Sequence, residues 1–369
     1  MLRTLLLAMS MQLMALPLQA AEHDWPAWSR FEANLISEDG RVIDPSDERR
    51  ITTSEGQSYA LLFALVADDR DTFQRVLDWT QNNLAKGDLG ATLPAWLWGR
   101  GDDDRWGVID ANSAADSDLW LAYTLLEAGR LWQRRDYRVL GQRLAGRIAE
   151  QEVAELPGFG KMLLPGRTGF VGDASWRVNP SYLPPQLLTR LSALGGPWPE
   201  VAKLVPKLLL GSAPRGLAPD WVAWRTDSGW QPDPEHGAAG DYDAIRVYLW
   251  LGMLAHDAPY RETLLAHFQP MRDLTASLGV PPEHIDARSG ESTGIANVSF
   301  SAALLPFLVA TAQDHDAPLA AAQRRRIAGA PPDDDAYYSQ VLMLFGVGWD
   351  QGRYRFAPDG SLHPAWEAP

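Results

Sequence analysis

Helical periodicity dominates the hydrophobic pattern of this chain. Apolar residues recur three and four positions apart over segments of about 12 to 18 residues, the spacing of helices that bury at least one face. Strand-like alternation of apolar and polar residues is scarce. The pattern predicts an all-α protein whose helices lie near residues 54–67, 71–84, 116–132, 135–149, 199–210, 241–255, 258–277, 297–311 and 334–347.

Long connections rich in glycine, proline and aspartate separate some of these segments, as in residues 87–104, 157–185 and 213–240. No low-complexity linker divides the chain, so we expect a single domain over residues 21–369. Helices joined in this way fit either a solenoid or a closed toroid of helix pairs. Because no solenoid-like repeat is visible and the loops of a toroid gather at one end to form a cleft, we expect an (α/α) toroid.

The first twenty residues resemble a secretory signal peptide. Arg3 precedes an apolar stretch that ends in a small-residue motif at Ala20. A membrane anchor is the alternative, but the stretch is short for spanning a bilayer and Pro17 interrupts it. We therefore expect residues 1–20 to be a signal peptide, with cleavage after Ala20, a periplasmic or secreted mature protein and no membrane insertion after cleavage.

Composition narrows the function classes. The chain has no cysteine, which excludes thiol catalysis and leaves its stability to a large core. Its formal charge of −14 argues against nucleic acid and, on average, against acidic polysaccharides, so a neutral substrate fits better. There are sixteen tryptophans, which we assign mostly to the core. A minority of them in a groove would offer flat apolar faces to pyranose rings.

Metal-binding signals are absent from the sequence. Seven histidines are scattered without ligand spacing, and the acidic runs at residues 102–104 and 333–335 lack the pattern of a calcium loop. We expect no metal and no cofactor.

Three acidic residues stand at the starts of predicted helices: Glu55, Asp116 and Asp243. Each has a structural explanation. Glu55 follows Thr52 with capping-box spacing, Asp116 follows Ser113 at a similar distance, and Asp243 would suit the first turn of a helix.

Glycosidic hydrolysis offers a second explanation for the same carboxyl groups. It needs one protonated carboxyl group as general acid and one carboxylate that activates water or attacks carbon. Because a helix N-terminus lowers a carboxyl pKa, the acid must be desolvated or lie beside another carboxylate. Glu55, near Tyr59, can meet that condition, whereas Arg246 lies one turn after Asp243 and would hold it ionised. This chemistry favours Glu55 as acid and Asp243 as base.

Six blocks of sequence carry a family resemblance, among them Thr-Ser-Glu-Gly-Gln-Ser-Tyr at residues 53–59. The other five are residues 40–47, 93–99, 179–185, 242–248 and 345–350. In this order they resemble glycoside hydrolase family 8, and within it the periplasmic endo-β-1,4-glucanases (cellulases) encoded with bacterial cellulose synthase. The similarity extends from Trp25 to about Trp366.

The resemblance implies an (α/α)6 barrel that hydrolyses cellulose-type chains with inversion. The family's proton donor falls on Glu55 and the general base of this subgroup on Asp243. The signature aspartate falls on Asp116, which we expect to position the sugar and to raise the pKa of Glu55 through its charge. Ala115 and Ser117 depart from the usual signature residues, which puts substrate fit in question and leaves the carboxyl groups in place.

Several residues are candidates for substrate binding. Of two tryptophans in one matching block, Trp98 is expected to stack on sugar and Trp96 to pack inward. Tyr59 and Tyr242 fit either the groove or the core. The full candidate set is Trp98, Trp96, Tyr182, Tyr242, Arg246 and Tyr59.

The expected partner is a β-1,4-glucan chain, with a functional association with the cellulose synthase machinery. Inversion predicts carboxyl groups roughly 6.5–9.5 Å apart, whereas retention predicts about 5 Å. Chitosan, xylan or mixed-linkage glucan are alternative substrates for the same mechanism. A non-catalytic glucan-binding role and a polysaccharide lyase on the same fold are alternatives from other classes, and the negative charge disfavours the lyase.

Overall fold

The computed structural model describes residues 25–312 and 318–367, so the predicted signal peptide at residues 1–20 lies outside the described residues. No helix in these two stretches is both long and apolar enough to cross a membrane. The helices are α1 (Pro26–Leu35), α2 (Ser54–Val66), α3 (Arg70–Leu84), α4 (Ala115–Leu131), α5 (Arg135–Gln151), α6 (Pro185–Ser192), α7 (Trp198–Ser212), α8 (Ile245–Gly252), α9 (Arg261–His267), α10 (Gln269–Leu278), α11 (Val298–Ala310), α12 (Pro318–Gly329) and α13 (Tyr337–Asp350).

Short antiparallel strands lie in the connections between helices. They pair as β1-β2-β3, β4-β5, β6-β7-β8-β9, β10-β11-β12 and β13-β14. Their bounds are β1 (Thr52–Thr53), β2 (Leu97–Arg100), β3 (Trp106–Asp110), β4 (Val153–Leu156), β5 (Gly160–Leu163), β6 (Val171–Gly172), β7 (Ser175–Val178), β8 (Val222–Arg225), β9 (Gly229–Pro232), β10 (Ala239–Gly240), β11 (His284–Asp286), β12 (Ser292–Thr293), β13 (Tyr354–Phe356) and β14 (Leu362–Pro364).

The helices form two concentric rings. Inner helices α2, α4, α6, α8, α11 and α13 pack each against the next, and Phe345 closes the ring with its centroid 5.0 Å from that of Tyr59 and 4.7 Å from that of Phe63. Outer partners α3, α5, α7, the α9–α10 pair and α12 pack on the ring. The first helix of the chain, α1, packs on α13 as the sixth outer partner. The expected (α/α)6 barrel is confirmed.

The two rings follow from two kinds of helix sequence. In α2 every residue from Gly56 to Val66 is buried, and α11 is buried throughout Val298–Leu308, as required of helices with neighbours on all sides. Outer helix α5 buries a single stripe and exposes the rest to water. That stripe consists of Tyr137, Gly141, Leu144, Ala145 and Ile148.

Several predicted boundaries are wrong for identifiable reasons. The segment 258–277 is two helices, because Pro270 lies in the first turn of α10 and cannot continue α9. The segment 241–255 becomes helical only at Ile245. Helices α1, α6 and α12 were not expected; α6 has only eight residues and begins at the second of two consecutive prolines. The strands inside residues 87–104, 157–185 and 213–240 are too short to produce a clear alternation.

An aromatic layer fills the inside of the inner ring. Trp120 lies at its centre, with ring centroids 6.0 Å from Tyr59, 5.3 Å from Trp250 and 5.4 Å from Phe345. These side chains come from α4, α2, α8 and α13, so the layer joins four of the six inner helices. Aromatic contacts of this kind add stability beyond the area that they bury.

A buried carboxylate attaches the C-terminal segment to the barrel. Glu127 on α4 is 0% exposed and accepts hydrogen bonds from Arg130 Nε at 2.9 Å, Arg190 Nε at 2.6 Å and the Leu362 backbone N–H at 3.0 Å. Arg130 also pairs with Glu367 at 2.7 Å. One carboxylate thus holds α4, α6 and the β13-β14 hairpin together.

Replacing Glu127 with Gln should lower the free energy of unfolding by about 3 kcal/mol, because two arginines lose their buried counter-charge. Urea unfolding followed by circular dichroism measures this. The same replacement at Glu150, whose pair with Arg147 is exposed, serves as the control and should change stability by about 0.5 kcal/mol or less. Equal effects at the two positions would contradict the role assigned to Glu127.

Candidate active site

The inner helices direct their N-termini to one end of the barrel. Glu55 and Asp116 are the second residues of α2 and α4, and Asp243 lies two residues before the start of α8. Arg246 is the second residue of α8, and Tyr337 is the first of α13. The three acidic residues singled out in the sequence are therefore brought together by the fold.

Helix capping does not account for Glu55 or Asp116. Thr53 rather than Thr52 precedes α2, and its Oγ1 accepts the N–H of Gly56 at 3.1 Å. The residue before α4 is Ala114, which has no capping side chain. The capping-box interpretation is wrong because both helices begin one residue later than that spacing requires.

A buried arginine bridges two of the carboxyl groups. Arg246 is 3% exposed; its Nη1 donates to Glu55 Oε2 at 2.7 Å and its Nη2 to Asp243 Oδ1 at 2.6 Å. The guanidinium also donates to Ser181 Oγ at 3.1 Å and to Tyr338 Oη at 3.2 Å. The sequence pattern paired Arg246 with Asp243 alone. In the structure Arg246 also pairs with Glu55, so its guanidinium lies between the two carboxyl groups.

Glu55 is placed to hold a proton. Burial raises its pKa above the ordinary value; the Arg246 guanidinium opposes that rise and the Asp243 charge adds to it. Tyr337 Oη donates to Glu55 Oε1 at 3.1 Å and orients the carboxyl group. The neighbouring charge that raises the pKa of Glu55 most is that of Asp243, not that of Asp116 as the sequence suggested.

Asp243 has the environment of a carboxylate. Arg246 donates to its Oδ1, and Asn179 Nδ2 donates to its Oδ2 at 2.9 Å. The Asn179 amide is itself fixed, because its Oδ1 accepts the N–H of Ser181 at 3.0 Å and the Ser181 hydroxyl at 2.7 Å. The short turn before α6 therefore orients Asp243 from the opposite side to Arg246.

Asp116 is buried beside this pair. Its Oδ1 accepts the backbone N–H of Ser117 at 2.7 Å. Burial, and then the charge of Glu55, raise the pKa of Asp116 to about 7. Asp116 therefore takes up or releases its proton near neutral pH.

The two tryptophans of the matching block have different surroundings. The Trp98 ring contacts Trp79 at 5.3 Å, stacks on Trp106 at 5.5 Å and lies 4.3 Å from the Arg41 guanidinium. The backbone of Trp96 pairs with Ser54 and Asn112, and its side chain is in hydrogen-bond contact with Asp110. Both tryptophans are half-buried, so stacking of Trp98 on sugar stays a prediction. A register shift between Leu97 and Trp98 breaks the regular alternation of the strand.

The three candidate tyrosines lie at different depths. Tyr182 is half-buried, with its ring 5.9 Å from the Arg246 guanidinium carbon. Tyr59 is buried in the aromatic layer beneath the carboxyl groups. Tyr242 is 38% exposed and donates to Glu283 Oε1 at 3.1 Å. Of the two tyrosines left open between groove and core, Tyr59 belongs to the core and Tyr242 to the rim.

Sequence reasoning missed several polar residues of the site. Asn179 and Ser181 fall inside the block at residues 179–185, so the family resemblance could have pointed to them. Tyr337 and Tyr338 begin α13 and carry no charge that would single them out. Asp220, described below, lies in a connection that was expected to be irregular.

One group of side chains in the described stretches has metal-ligand spacing: Asp233, Glu235 and His236. Arg177 pairs with Asp233 at 2.7 Å and with Glu235 at 2.7 Å, so one arginine compensates part of the negative charge of the group.

Comparison with known proteins gives the context of this site. Residues 4–352 match the family model described as glycosyl hydrolases family 8. An endoglucanase of Escherichia coli O157:H7 is 51% identical over 342 residues, which cover 93% of this chain and 91% of the relative. An endoglucanase of Xanthomonas axonopodis pv. citri is 48% identical over 347 residues, 94% of this chain and 90% of the relative.

Solved structures of glucanases are also similar to this chain. The endo-1,4-D-glucanase from Vibrio fischeri ES114 superposes with a TM-score of 0.89 at 44% identity, covering 94% of this chain and 100% of that one. The endo-beta-1,4-glucanase CMCax from Acetobacter xylinum gives 0.72 at 25% identity, covering 88% and 98%. The chain is therefore a glycoside hydrolase that belongs to glycosyl hydrolases family 8.

Proposed function

We propose that this protein is an endo-β-1,4-glucanase that cleaves internal bonds of cellulose-type chains with inversion. The observation that carries the proposal is the buried guanidinium of Arg246 between Glu55 and Asp243. Burial raises the pKa of Glu55, and Arg246 and Asn179 hold Asp243. An acid and a carboxylate side by side are what hydrolysis of a glycosidic bond requires, and the resemblance to family 8 supports inversion. Several relatives named endoglucanase share about half of their residues with this chain, which supports the same substrate class.

Glu55 acts as the general acid in this scheme. It transfers its proton to the glycosidic oxygen as the bond to the anomeric carbon breaks, so that the leaving chain departs as a neutral alcohol. The loss of that proton leaves a carboxylate next to Arg246, whose positive charge stabilises it. The guanidinium therefore favours the transfer, while burial keeps the proton on Glu55 beforehand.

Asp243 acts as the general base. It accepts a proton from a water molecule, and the water oxygen attacks the anomeric carbon on the face opposite to the leaving group. The attack inverts the configuration of that carbon. Arg246 and Asn179 hold both oxygens of the carboxylate, so its orientation is set before substrate arrives.

Asp116 holds the sugar at the cleavage point. One of its oxygens is occupied by the N–H of Ser117, which leaves the other for a sugar hydroxyl. Tyr182 supplies an apolar face near the carboxyl groups, with its ring 5.9 Å from the Arg246 guanidinium carbon, and Tyr242 lies at the rim. Trp98 and Trp96 are the candidate tryptophans for stacking on sugar, and flat aromatic faces suit a neutral glucan.

We also propose a periplasmic or secreted location and a role in bacterial cellulose biosynthesis, in functional association with the synthase. The signal-like residues 1–20 and the resemblance to synthase-associated enzymes support this setting. No contact surface for a synthase is assigned.

Replacing Glu55 with Gln should reduce hydrolysis of carboxymethyl-cellulose by roughly 10²–10⁴-fold, because the leaving oxygen loses its proton donor. An aryl cellobioside with a good leaving group needs less protonation and should retain much more of its rate. Replacing Asp243 with Asn should lower both rates, because the water loses its base. Initial rates of reducing-end and aryl-alcohol release measure these effects.

Glu150→Gln, the same chemical change on an outer helix, is the matched control and should leave both rates unchanged. Wild-type rates for Glu55→Gln on every glucan would contradict hydrolysis by this site. A Glu55→Gln rate that falls equally on both substrates would contradict its role as acid.

Reducing-end release should be fastest on carboxymethyl-cellulose, compared with chitosan, xylan and mixed-linkage glucan at equal mass concentration. The similarity to endoglucanases is the reason for this order. A faster rate on chitosan or xylan would reassign the substrate within the same mechanism. Binding of cellulose without release of reducing ends would favour the non-catalytic role.

A further inference from the structure

A fourth carboxyl group is buried behind the proposed base. Asp220 lies just before β8 and is 8% exposed. Its Oδ1 accepts the backbone N–H of Asp241 at 2.9 Å and that of Ala244 at 2.7 Å. These two residues bracket the turn 241–244, which carries Asp243 and leads into α8. Asp220 therefore touches the backbone on both sides of the proposed base.

This contact holds the segment that leads into α8, not the helix itself. The first N–H groups of α8 are bonded to backbone carbonyls, Ile245 to Asp241 O at 3.1 Å and Arg246 to Asp243 O at 3.0 Å. The N–H groups of Asp241 and Ala244 find their acceptor in Asp220, from another part of the chain. Its own N–H donates to Ala239 O at 2.8 Å, so the segment around Asp220 and the segment leading to the turn are joined at several points.

Contact with a second carboxyl group favours the protonated form of Asp220. It is in hydrogen-bond contact with the Asp241 carboxyl group, and two such groups in contact require one proton between them. Burial, and then the charge of Asp243, raise the pKa of Asp220 to about 8. The pKa of Asp241 is lowered: burial opposes this, but hydrogen bonds from Asp220, the Tyr242 N–H and His284 favour its charged form.

The charged and titratable groups around Asp220 explain why it stays neutral. Asp241 and Asp243 face it from the turn, and Tyr248 faces it from α8. Tyr338 faces it from α13, and His284 on β11 reaches it only through Asp241. Asp233, by contrast, also accepts two backbone N–H groups but is paired with Arg177 and is a charged buried carboxylate.

We propose that Asp220 is a positioning residue for the proposed general base: its carboxyl group accepts the backbone N–H groups of Asp241 and Ala244 and so fixes the turn that carries Asp243. The proposal rests on the assignment of Asp243 as base. Asp220 itself does not touch the substrate.

Asparagine reproduces the neutral acid at this position, because its oxygen can accept the two N–H bonds and its NH₂ group can donate to Asp241. Asp220→Asn should therefore keep kcat and KM on carboxymethyl-cellulose within about threefold of wild type. Asp220→Ala removes all three bonds and should lower kcat on the order of 10²-fold with little change in KM, because the base is misplaced. An Asn variant as impaired as the Ala variant, or an Ala variant with wild-type kcat, would overturn the proposal.

Thermal unfolding tests the proton without using activity. Between about pH 4 and pH 8 the unfolded chain releases the Asp220 proton while the folded protein keeps it, so the wild type loses stability as pH rises through this window. Asp220→Asn has no such proton, so its Tm should exceed that of the wild type by a margin that grows from pH 4 to pH 8. A margin independent of pH would overturn the neutral-acid assignment, even if Asp220→Ala fails to fold.

Asp233→Asn is the matched control, since it makes the same chemical change at a buried carboxylate with two backbone donors. It removes the buried one of the two counter-charges of Arg177 and should lower Tm at pH 7, whereas Asp220→Asn should not. Assaying Asp243→Asn alongside separates two failures. If Asp243→Asn is active, the base assignment fails, and with it the catalytic part of this proposal. If Asp243→Asn is inactive but the Tm difference between Asp220→Asn and wild type does not change with pH, only the proposal for Asp220 fails.

Discussion

The proposed active site depends on one buried positive charge. Arg246 lies inside the barrel with almost no exposure to water, and a guanidinium in that position is tolerated only when it is paired and hydrogen-bonded. Glu55, Asp243, Ser181 and Tyr338 provide those partners from four separate parts of the chain. The need to satisfy Arg246 therefore fixes the positions of α2, the turn before α6, α8 and α13 relative to one another. The same constraint sets the separation of the proposed acid and base.

Burial and helix polarity act in opposite directions on the carboxyl groups. A helix N-terminus stabilises negative charge, so Glu55 and Asp116 at the starts of α2 and α4 would tend to be ionised in water. Desolvation outweighs this tendency and raises the pKa of each group. The aromatic layer contributes to the desolvation: Tyr59 and Trp120 lie four residues, about one helical turn, deeper than Glu55 and Asp116. The core and the chemistry of the site are therefore built from the same helices.

The sequence predicted the parts of this structure that depend on local pattern. Inner helices such as α2 and α11 were expected because their apolar runs are long, and the carboxyl groups were expected because they precede such runs. Helix α6 and the small sheets were missed because they contain too few residues for periodicity to show. Trp96 and Trp98 could not be distinguished, because the shift in strand register between them is set by pairing with β3. Asp220 was missed because its importance comes from a turn more than twenty residues further along the chain.

The central claim is that Glu55 and Asp243 act as an acid and a base on opposite sides of the bond, with no covalent intermediate. Proton NMR of the products of cello-oligosaccharide hydrolysis, recorded before mutarotation equilibrates the anomers, tests this most directly. With inversion, the α-anomer of the new reducing end appears first and converts to the β-anomer later. Initial appearance of the β-anomer would mean retention and would contradict the assignment of Asp243 as general base.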